Sequence, residues 1–345
     1  MRIAVHGASG FTGSLVVTEL VRRGFTPVLV GRDETRLRAV AARTEILDPQ
    51  IRVARLDDID ALAAAFADTD AVINTAGPFT QWGEPVVRAA IAAGRHYLDT
   101  TGEPAYLQHI LTTYDEPAKA AGIAVIPAVT DDGVPGDLIA ALTAARLDAP
   151  LGQIVIADLR RPGAASRGTA RSMAAIMVDE QIEYRDRAWV SVHESDTTVH
   201  EPGETAPVDV SPLALPGVYT IPRHLDVPVV RGVMRTEVGV LFAALNAEVA
   251  ETLPEAPDAA ERAASRWCML AEATDVNGAR VRGWAGGVDA YASTAVIAVE
   301  AARRLVAPGA PAGTLAPAQA FDAGSFLTYL AGTGMTWQVE EVAIV

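Results

Sequence analysis

The chain is almost devoid of cysteine and lysine. Cys268 is the one cysteine in 345 residues, which excludes an intrachain disulfide and a cysteine-based zinc cluster. Lys119 is the one lysine among 28 basic residues, so lysine Schiff-base chemistry has a single candidate. No stretch approaches the ~20 consecutive apolar residues that a membrane span requires. Positive charge is also scarce. Against those 28 bases stand 43 acids, a net charge of −15, which argues against a bulk electrostatic grip on nucleic acid or anionic lipid. Met1 and Arg2 lead into an apolar segment that Gly7 and Gly10 interrupt before a signal-peptide core forms. The expectation is a cytoplasmic protein without nucleic-acid partners.

What is present fits a folded protein of enzyme size. Half of the residues are hydrophobic and 21% are charged. At roughly 150 residues per domain the length predicts two domains. Up to about residue 138, short β-branched runs (Ile3–Val5, Val28–Val30, Ile51–Val53, Ala71–Ile73, Ile123–Ile126) alternate with stretches of helical spacing (Leu15–Arg23, Glu34–Arg43, Ile59–Ala67, Glu84–Ala93). Strand and helix in alternation predict an α/β fold, a Rossmann-type doubly wound parallel sheet whose ligands bind at the carboxyl ends of the strands. Beyond it, strand-like segments broken by prolines and a helix over Ala292–Val306 predict a second, mixed α+β domain over 139–345. Pro308 to Pro317 reads as a connector, and 313–345 as a segment that packs back on the first domain.

The sharpest motif is His6-Gly7-Ala8-Ser9-Gly10-Phe11-Thr12-Gly13, directly after a strand and directly before a helix. Glycines with this spacing permit a tight turn, close approach of backbone to a pyrophosphate, and close helix–strand packing. The N–H groups of the helix start would face the pyrophosphate, with the Ser9 and Thr12 hydroxyls as further donors. At the end of the second strand, Gly31-Arg32-Asp33 sets an arginine where NAD-selective folds usually place a carboxylate. Arg32, with Arg36 one turn on, points to the 2′-phosphate of NADP(H), while Asp33 keeps NAD open. Asp57 and Asp58 follow the third strand and either meet an adenine edge or cap the next helix. After the fourth strand, Thr75, Gly77, Pro78 and Phe79 form a turn suited to lie beside the nicotinamide ribose.

These blocks resemble the saccharopine dehydrogenase-like oxidoreductases, including their trans-acting enoyl reductase branch. The likeness rests on GASGFTG, LVGRDETRLRAV, the span Asn74 to Glu103 with its Gly-Pro-Phe turn and Tyr-x-Asp-x-x-Gly-Glu segment, and IPAVTDDGVPGDL. DAYASTAVIAVEAARRL and GTLAPAQAF resemble the closing helix and loop of the family. The resemblance is strongest over 1–138. Where the family carries Gly-Phe before an aspartate, this chain has Thr130-Asp131. The resemblance implies that Asp132 occupies the first aspartate position of an Asp-x-x-Pro-x-Asp element.

With NADPH on the sheet edge, the implied chemistry is hydride transfer, with the protein orienting an acceptor and handling a proton. Asp132 or Tyr97 is the expected proton-handling group, with Asp99 and Glu103 orienting. Each also has a plainer reading: Tyr97 as a strand aromatic, Glu103 as a helix N-terminal acid, Asp137 as a helix cap and His6 as packing. No Tyr-x-x-x-Lys pair exists, since Lys119 lies five positions after Tyr114. Ser166, Arg167, Thr169, Arg160 and Arg161 are candidate anchors for substrate oxygens. His193 and His200, amid Glu194, Asp196 and Glu201, lack the compact spacing of a metal site, and no metal is expected. The expected function is reduction of a conjugated C=C bond in a small unsaturated substrate. An imine reductase is the alternative within enzymes, and a non-catalytic NADP-binding sensor the alternative outside them. A homodimer through the second domain suits this architecture.

Overall fold

The computed structural model describes residues 1–163, 165–176, 180–192 and 197–342. The chain divides into two compact units, Met1–Thr130 with Tyr291–Leu315, and Asp131–Ala290 with Ala316–Val345.

The first unit begins with β1 (Arg2–His6), α1 (Phe11–Arg22), β2 (Thr26–Gly31), α2 (Glu34–Arg43), β3 (Gln50–Val53) and α3 (Ile59–Phe66). It continues with β4 (Ala71–Asn74), α4 (Phe79–Ala93), β5 (His96–Asp99), α5 (Pro104–Thr113), α6 (Asp115–Ala120) and β6 (Ala124–Ile126). The second unit opens with α7 (Gly133–Ala144), β7 (Leu151–Asp158), α8 (Arg167–Ile176) and the hairpin β8 (Ile182–Arg185) and β9 (Ala188–Ser191). Next come β10 (Thr198–Val199), β11 (Val208–Pro212), α9 (Gly217–Thr220), β12 (Val229–Arg235), α10 (Thr236–Ala243), α11 (Ala247–Thr252) and α12 (Ala259–Ala264). The long strands β13 (Arg266–Asp275) and β14 (Arg280–Val288) follow. The chain then returns to the first unit with α13 (Ala290–Leu305) and β15 (Gly313–Thr314). It finishes in the second with α14 (Pro317–Ala320), α15 (Ala323–Ala331) and β16 (Thr336–Glu341).

The first sheet has the order β15-β6-β5-β4-β1-β2-β3 and every pair in it is parallel. Parallel strands covered on both faces need unbroken apolar runs. Ile3, Ala4 and Val5, Val28, Leu29 and Val30, and Val72 and Ile73 supply them, all fully buried. The winding direction reverses between β1 and β4, and a crevice at such a switch point is where open α/β sheets take ligands. The second sheet runs β10-β11-β12-β7-β13-β14-β16, with β8 joined to β12. Its β7 and β12 are parallel and its other pairs antiparallel.

The N-terminal α/β and C-terminal mixed architecture is as the alternation predicts. The division differs from the expected boundary, because 131–138 sits with the second unit. The reason is packing: α7 is buried along nearly its whole length, and a Cβ added at Gly136 would meet Met269 Cε at 3.2 Å and Ile156 Cδ1 at 3.4 Å. The tail also divides. Gly313–Leu315 joins the first unit, where Gly313 and Thr314 pair with Ala124 and Val125, and the remainder from Ala316 belongs to the second. Two residues of strand inside a Pro/Gly-rich stretch are too short to show any period.

Candidate dinucleotide site

The glycine turn folds as its spacing requires. Gly7 takes φ +78°, a left-handed backbone that favours glycine, and its carbonyl accepts from Gly10 N at 2.9 Å. A Cβ at Gly13 would run into that same carbonyl oxygen and stand 2.9 Å from Ala8 Cα. Helix α1 begins with Gly10 as its N-cap and has no side-chain cap. Ser9 and Thr12 flank this start, half-buried, and neither side chain makes a hydrogen bond among the described residues. A strand end, a backbone cradle closed to any Cβ, and a helix start without a capping side chain together fit an anionic pyrophosphate.

At the end of β2, Asp33 turns its carboxylate onto Arg36 N at 3.1 Å and caps α2. Arg32 beside it is exposed and makes no hydrogen bond or ion pair among the described residues. After β3, Asp58 caps α3 through Ala61 N at 2.9 Å. Asp57 is held by Arg55 through two bonds of 3.0 Å, and the Arg55 hydrogen bonds keep its carboxyl below the ordinary range.

The loop after β4 is fixed from beneath. Thr75 Oγ1 donates to the His6 carbonyl at 3.0 Å, tying this loop to the glycine turn. Asn74 Oδ1 accepts from Ala76 N at 3.1 Å and pairs with His6 Nδ1 at 2.8 Å. The Gly77–Pro78 peptide is cis. Phe79 and Thr80, the first residues of α4, donate their N–H groups to the Glu103 carboxylate at 2.8 Å each, and Thr80 Oγ1 adds a 2.6 Å bond. Glu103 therefore acts on a helix start other than its own, a role its position before α5 does not announce.

Tyr97 and Asp99 lie at the end of β5, both with 0% exposure. Asn74 Nδ2 donates to Tyr97 Oη at 3.0 Å, and Tyr97 and Tyr106 donate to Asp99 Oδ2 at 3.1 and 2.9 Å. Asp99 Oδ1 accepts from Thr101 N and Ala128 N at 3.1 and 3.0 Å. Burial pushes the Asp99 carboxyl up to about 6 against the pull of these hydrogen bonds. Burial likewise lowers His6, and it raises both tyrosines with the Asp99 charge as the next cause. His6, Asn74, Tyr97, Asp99 and Tyr106 thus form a buried polar ladder across β1, β4 and β5, beneath the switch point. The expectation that Tyr97, Asp99 and Glu103 work at a reacting centre meets side chains already committed to protein partners.

Asp132 belongs to the second unit, half-buried at the start of α7, which it does not cap. Around it stands a charged group whose Arg160 and Asp131 the sequence singles out separately but whose Asp158 it does not. Arg160 Nε bonds Asp158 Oδ2 at 2.6 Å, and Arg160 Nη2 reaches Asp131 Oδ2 at 3.3 Å. Burial raises the Asp158 carboxyl; Arg160 opposes the rise and Asp132 adds to it. An aspartate closing an apolar strand, two residues before an arginine, is the signal that would have found it. Asp137 does not cap its own helix. Its Oδ1 pairs with His224 Nε2 at 3.0 Å, and its Oδ2 accepts from Ala318 N at 2.8 Å, at the start of α14. Ser166 caps α8 through Thr169 N at 3.1 Å, and Arg161 bonds Glu201 and Glu204. His193, Glu194 and Asp196 lie outside the described residues.

Comparison with known proteins agrees with this cradle. Residues 3–126 match the family described as the saccharopine dehydrogenase NADP binding domain. The first unit carries a saccharopine dehydrogenase NADP-binding domain. The resemblance read from the sequence is met, and the cofactor class of this domain is NADP. A trans-acting enoyl reductase of Mycobacterium tuberculosis is 34% identical over 140 residues, 39% of this chain and 34% of that protein. A lipid droplet localized protein of Caenorhabditis elegans is 34% identical over 146 residues, again 39% of this chain and 34% of the other. The matched part therefore spans about a third of the length of these curated relatives. Apo saccharopine dehydrogenase (L-Glu forming) of Saccharomyces cerevisiae has the same fold, with a TM-score of 0.64 over 99% of this chain and 100% of that one, at 14% identity. No helix among the described residues is long and apolar enough to cross a membrane.

Proposed function

We propose that the chain is an NADPH-dependent reductase that delivers hydride to a conjugated C=C bond of an acyl substrate. Bound NADPH supplies the hydride. The Gly7, Gly10 and Gly13 turn and the first N–H groups of α1 hold its pyrophosphate, with Ser9 and Thr12 as hydroxyl donors and Phe11 opening the helix. Arg32 takes the 2′-phosphate with Arg36 behind it, and Asp57 stands toward the adenine. Thr75, Gly77, Pro78 and Phe79 border the nicotinamide ribose. Tyr97, Asp99 and Glu103 are positioning residues that keep the β4 loop in place. Asp132, half-buried at the start of α7, is the proton-handling carboxyl of this reading.

The observation that carries the cofactor reading is the pairing pattern after β2: Asp33 is consumed by its own helix, whereas Arg32 stands without a partner among the described residues. The acyl reading draws on the arginines of the second unit. An imine substrate bearing carboxylates needs guanidinium groups to receive them. Here Arg160 is paired with Asp158, Arg161 with Glu201 and Glu204, Arg231 and Arg185 with Glu183, and Arg235 with Glu201. The relatives named as enoyl reductases support the same choice.

Tryptophan quenching with NADPH and NADH, followed by NADPH oxidation with α,β-unsaturated acyl thioesters and cyclic imines, tests this. Binding of NADPH with turnover of a thioester is the expected result. Turnover of imines alone replaces the acyl reading, binding without turnover of either class favours a sensor, and absence of binding removes the proposal.

A further inference from the structure

The NADP-binding family match ends at residue 126, yet the first unit also contains a helix from far downstream. Asp289 adopts φ +48°, a left-handed conformation that aspartate tolerates better than most residues, and α13 starts immediately after it. The ring of Tyr291 then meets the ring of Phe11 edge-on, with centroids 5.0 Å apart and planes at 63°. Further along the same two helices, Arg23 Nη2 binds Glu300 Oε2 at 2.8 Å. The steps from Phe11 to Arg23 and from Tyr291 to Glu300 advance about 18 Å and about 14 Å along their helices. Both run from the glycine turn outward, so α13 lies beside α1 in the same direction, with the two N-terminal ends together.

Phe11 is the first residue of α1 and follows the cap residue Gly10. Its side chain is half-buried, as is that of Tyr291. An edge-to-face pair fixes the orientation of both rings, and through Phe11 it fixes the first turn of α1 against the Gly7 carbonyl. At the other end, Glu300 has 0% exposure and is gripped by Arg23, Arg303 and Arg304, which sets the register of α13 along α1.

We propose that Tyr291 is a positioning residue of the dinucleotide site, completing from the far side of the chain a turn that the N-terminal motif only begins. The inference rests on the NADP reading above. Because it acts on the pyrophosphate turn, it concerns NADPH and NADH alike, unlike Arg32.

The test is nucleotide titration of the full chain, with the thermal midpoint of the ligand-free protein measured in parallel. Tyr291→Ala is expected to raise the Kd of both NADPH and NADH roughly tenfold, the order expected for losing one ordered aromatic pair. Tyr291→Phe, which keeps the ring and drops the hydroxyl, restores both to within about twofold of wild type. Tyr291→Leu keeps apolar bulk without an edge-to-face partner and, should the alanine variant fold poorly, carries the same expectation. A lowered thermal midpoint with unchanged Kd values for the leucine or alanine variant makes Tyr291 a purely structural residue and overturns the proposal. A Phe variant as weak as the alanine variant overturns it too, by assigning the effect to the hydroxyl. Wild-type protein that binds neither nucleotide overturns the NADP reading itself.

Discussion

The polar groups buried against the two sheets are satisfied in different ways, although Glu300 on α13 of the first unit is itself held in ion pairs with Arg23, Arg303 and Arg304. In the first, His6, Asn74, Tyr97, Tyr106 and Asp99 share hydrogen bonds in a ladder whose one carboxyl is pushed toward neutrality by burial. In the second, buried or half-buried arginines and acids are matched as ion pairs: Arg160 with Asp158, Arg231 with Glu183, Arg235 with Glu201. A hydrogen-bonded ladder under a sheet edge fixes loop positions without setting up a strong field, which suits a site that must take a cofactor of several charges. Ion pairs cancel charge where it would otherwise recruit anionic ligands. On the proposed reading the charge selectivity falls to the first unit, to Arg32 and the helix start.

The largest test of this contrast uses one glycine from each unit. At both Gly13 and Gly232 an added Cβ runs into a backbone carbonyl, that of Gly7 and that of Leu213 respectively. Neither obstacle is a flexible side chain, so each alanine variant should lose about 3 kcal/mol or more of what its segment supports. Gly13→Ala should abolish measurable NADPH binding, whereas Gly232→Ala should lower the thermal midpoint and leave the Kd for NADPH within about twofold in the folded protein. Equal damage to NADPH binding by both would break the division of roles.

A smaller loss is expected from Glu103→Ala, which strands the buried Phe79 N–H and removes the partner of the part-buried Thr80 N–H at the start of α4, and should cost about 1–3 kcal/mol in denaturant unfolding. A cost under about 0.5 kcal/mol would return Glu103 to the pool of candidate reacting groups. Comparable in size, and the sharpest for the cofactor, is Arg32→Ala. Loss of one charge-assisted bond to a phosphate, about 1.5–3 kcal/mol, should raise the Kd for NADPH about 10- to 100-fold and leave that for NADH unchanged. An equal rise for both nucleotides would take the 2′-phosphate away from Arg32.

The legibility of the two units follows from how local their determinants are. The glycine turn, the β2 end and the Gly-Pro turn are set by neighbours within a few residues: Gly7 and Arg32 directly follow β1 and β2, Gly10 and Gly13 lie at the start and in the first turn of α1, and Pro78 directly precedes α4. Asp58 as a helix cap was one of two readings left open, and its bond to Ala61 N supports that one. What escaped is long-range. Glu103 acts on Phe79 and Thr80, Asp137 on His224 and Ala318, and Tyr291 on Phe11, and no period or spacing announces a partner that only the fold brings near. The pairing of Asp131 and Asp158 with Arg160 escaped for the same reason, as did the assignment of α7 to the second sheet. Its apolar residues fit a helix under either unit, and burial against Ile156 and Met269 decides between them.

Two buried carboxyls of the first unit should make its stability respond to acid in opposite senses. Glu300 is held down to about 2: burial alone would raise it, but the hydrogen bonds from Arg303, Arg23 and Arg304 outweigh that. The folded state therefore binds fewer protons here than the unfolded chain, so the Glu300 contribution is complete above its ordinary value of 4.5 and is lost as the pH falls toward about 2. Asp99 is the reverse. Burial lifts it from 3.8 to about 6, the folded state binds more protons, and its contribution is complete below 3.8 and is lost as the pH rises through about 6. Thermal midpoints between pH 7 and 2 for wild type, Asp99→Asn and Glu300→Gln separate the two. Asn at 99 can still accept from Thr101 and Ala128 through its oxygen and donate to the tyrosines, so this variant should fold and lose only the gain that wild type shows on acidification from about 6 to 3.8. Glu300→Gln should lower the midpoint at neutral pH and flatten the loss below 4.5. If Asp99→Asn instead steepens with acidification, the ladder carries its charge at a lower pH than its burial implies, and the two units resemble each other more than their hydrogen bonds suggest.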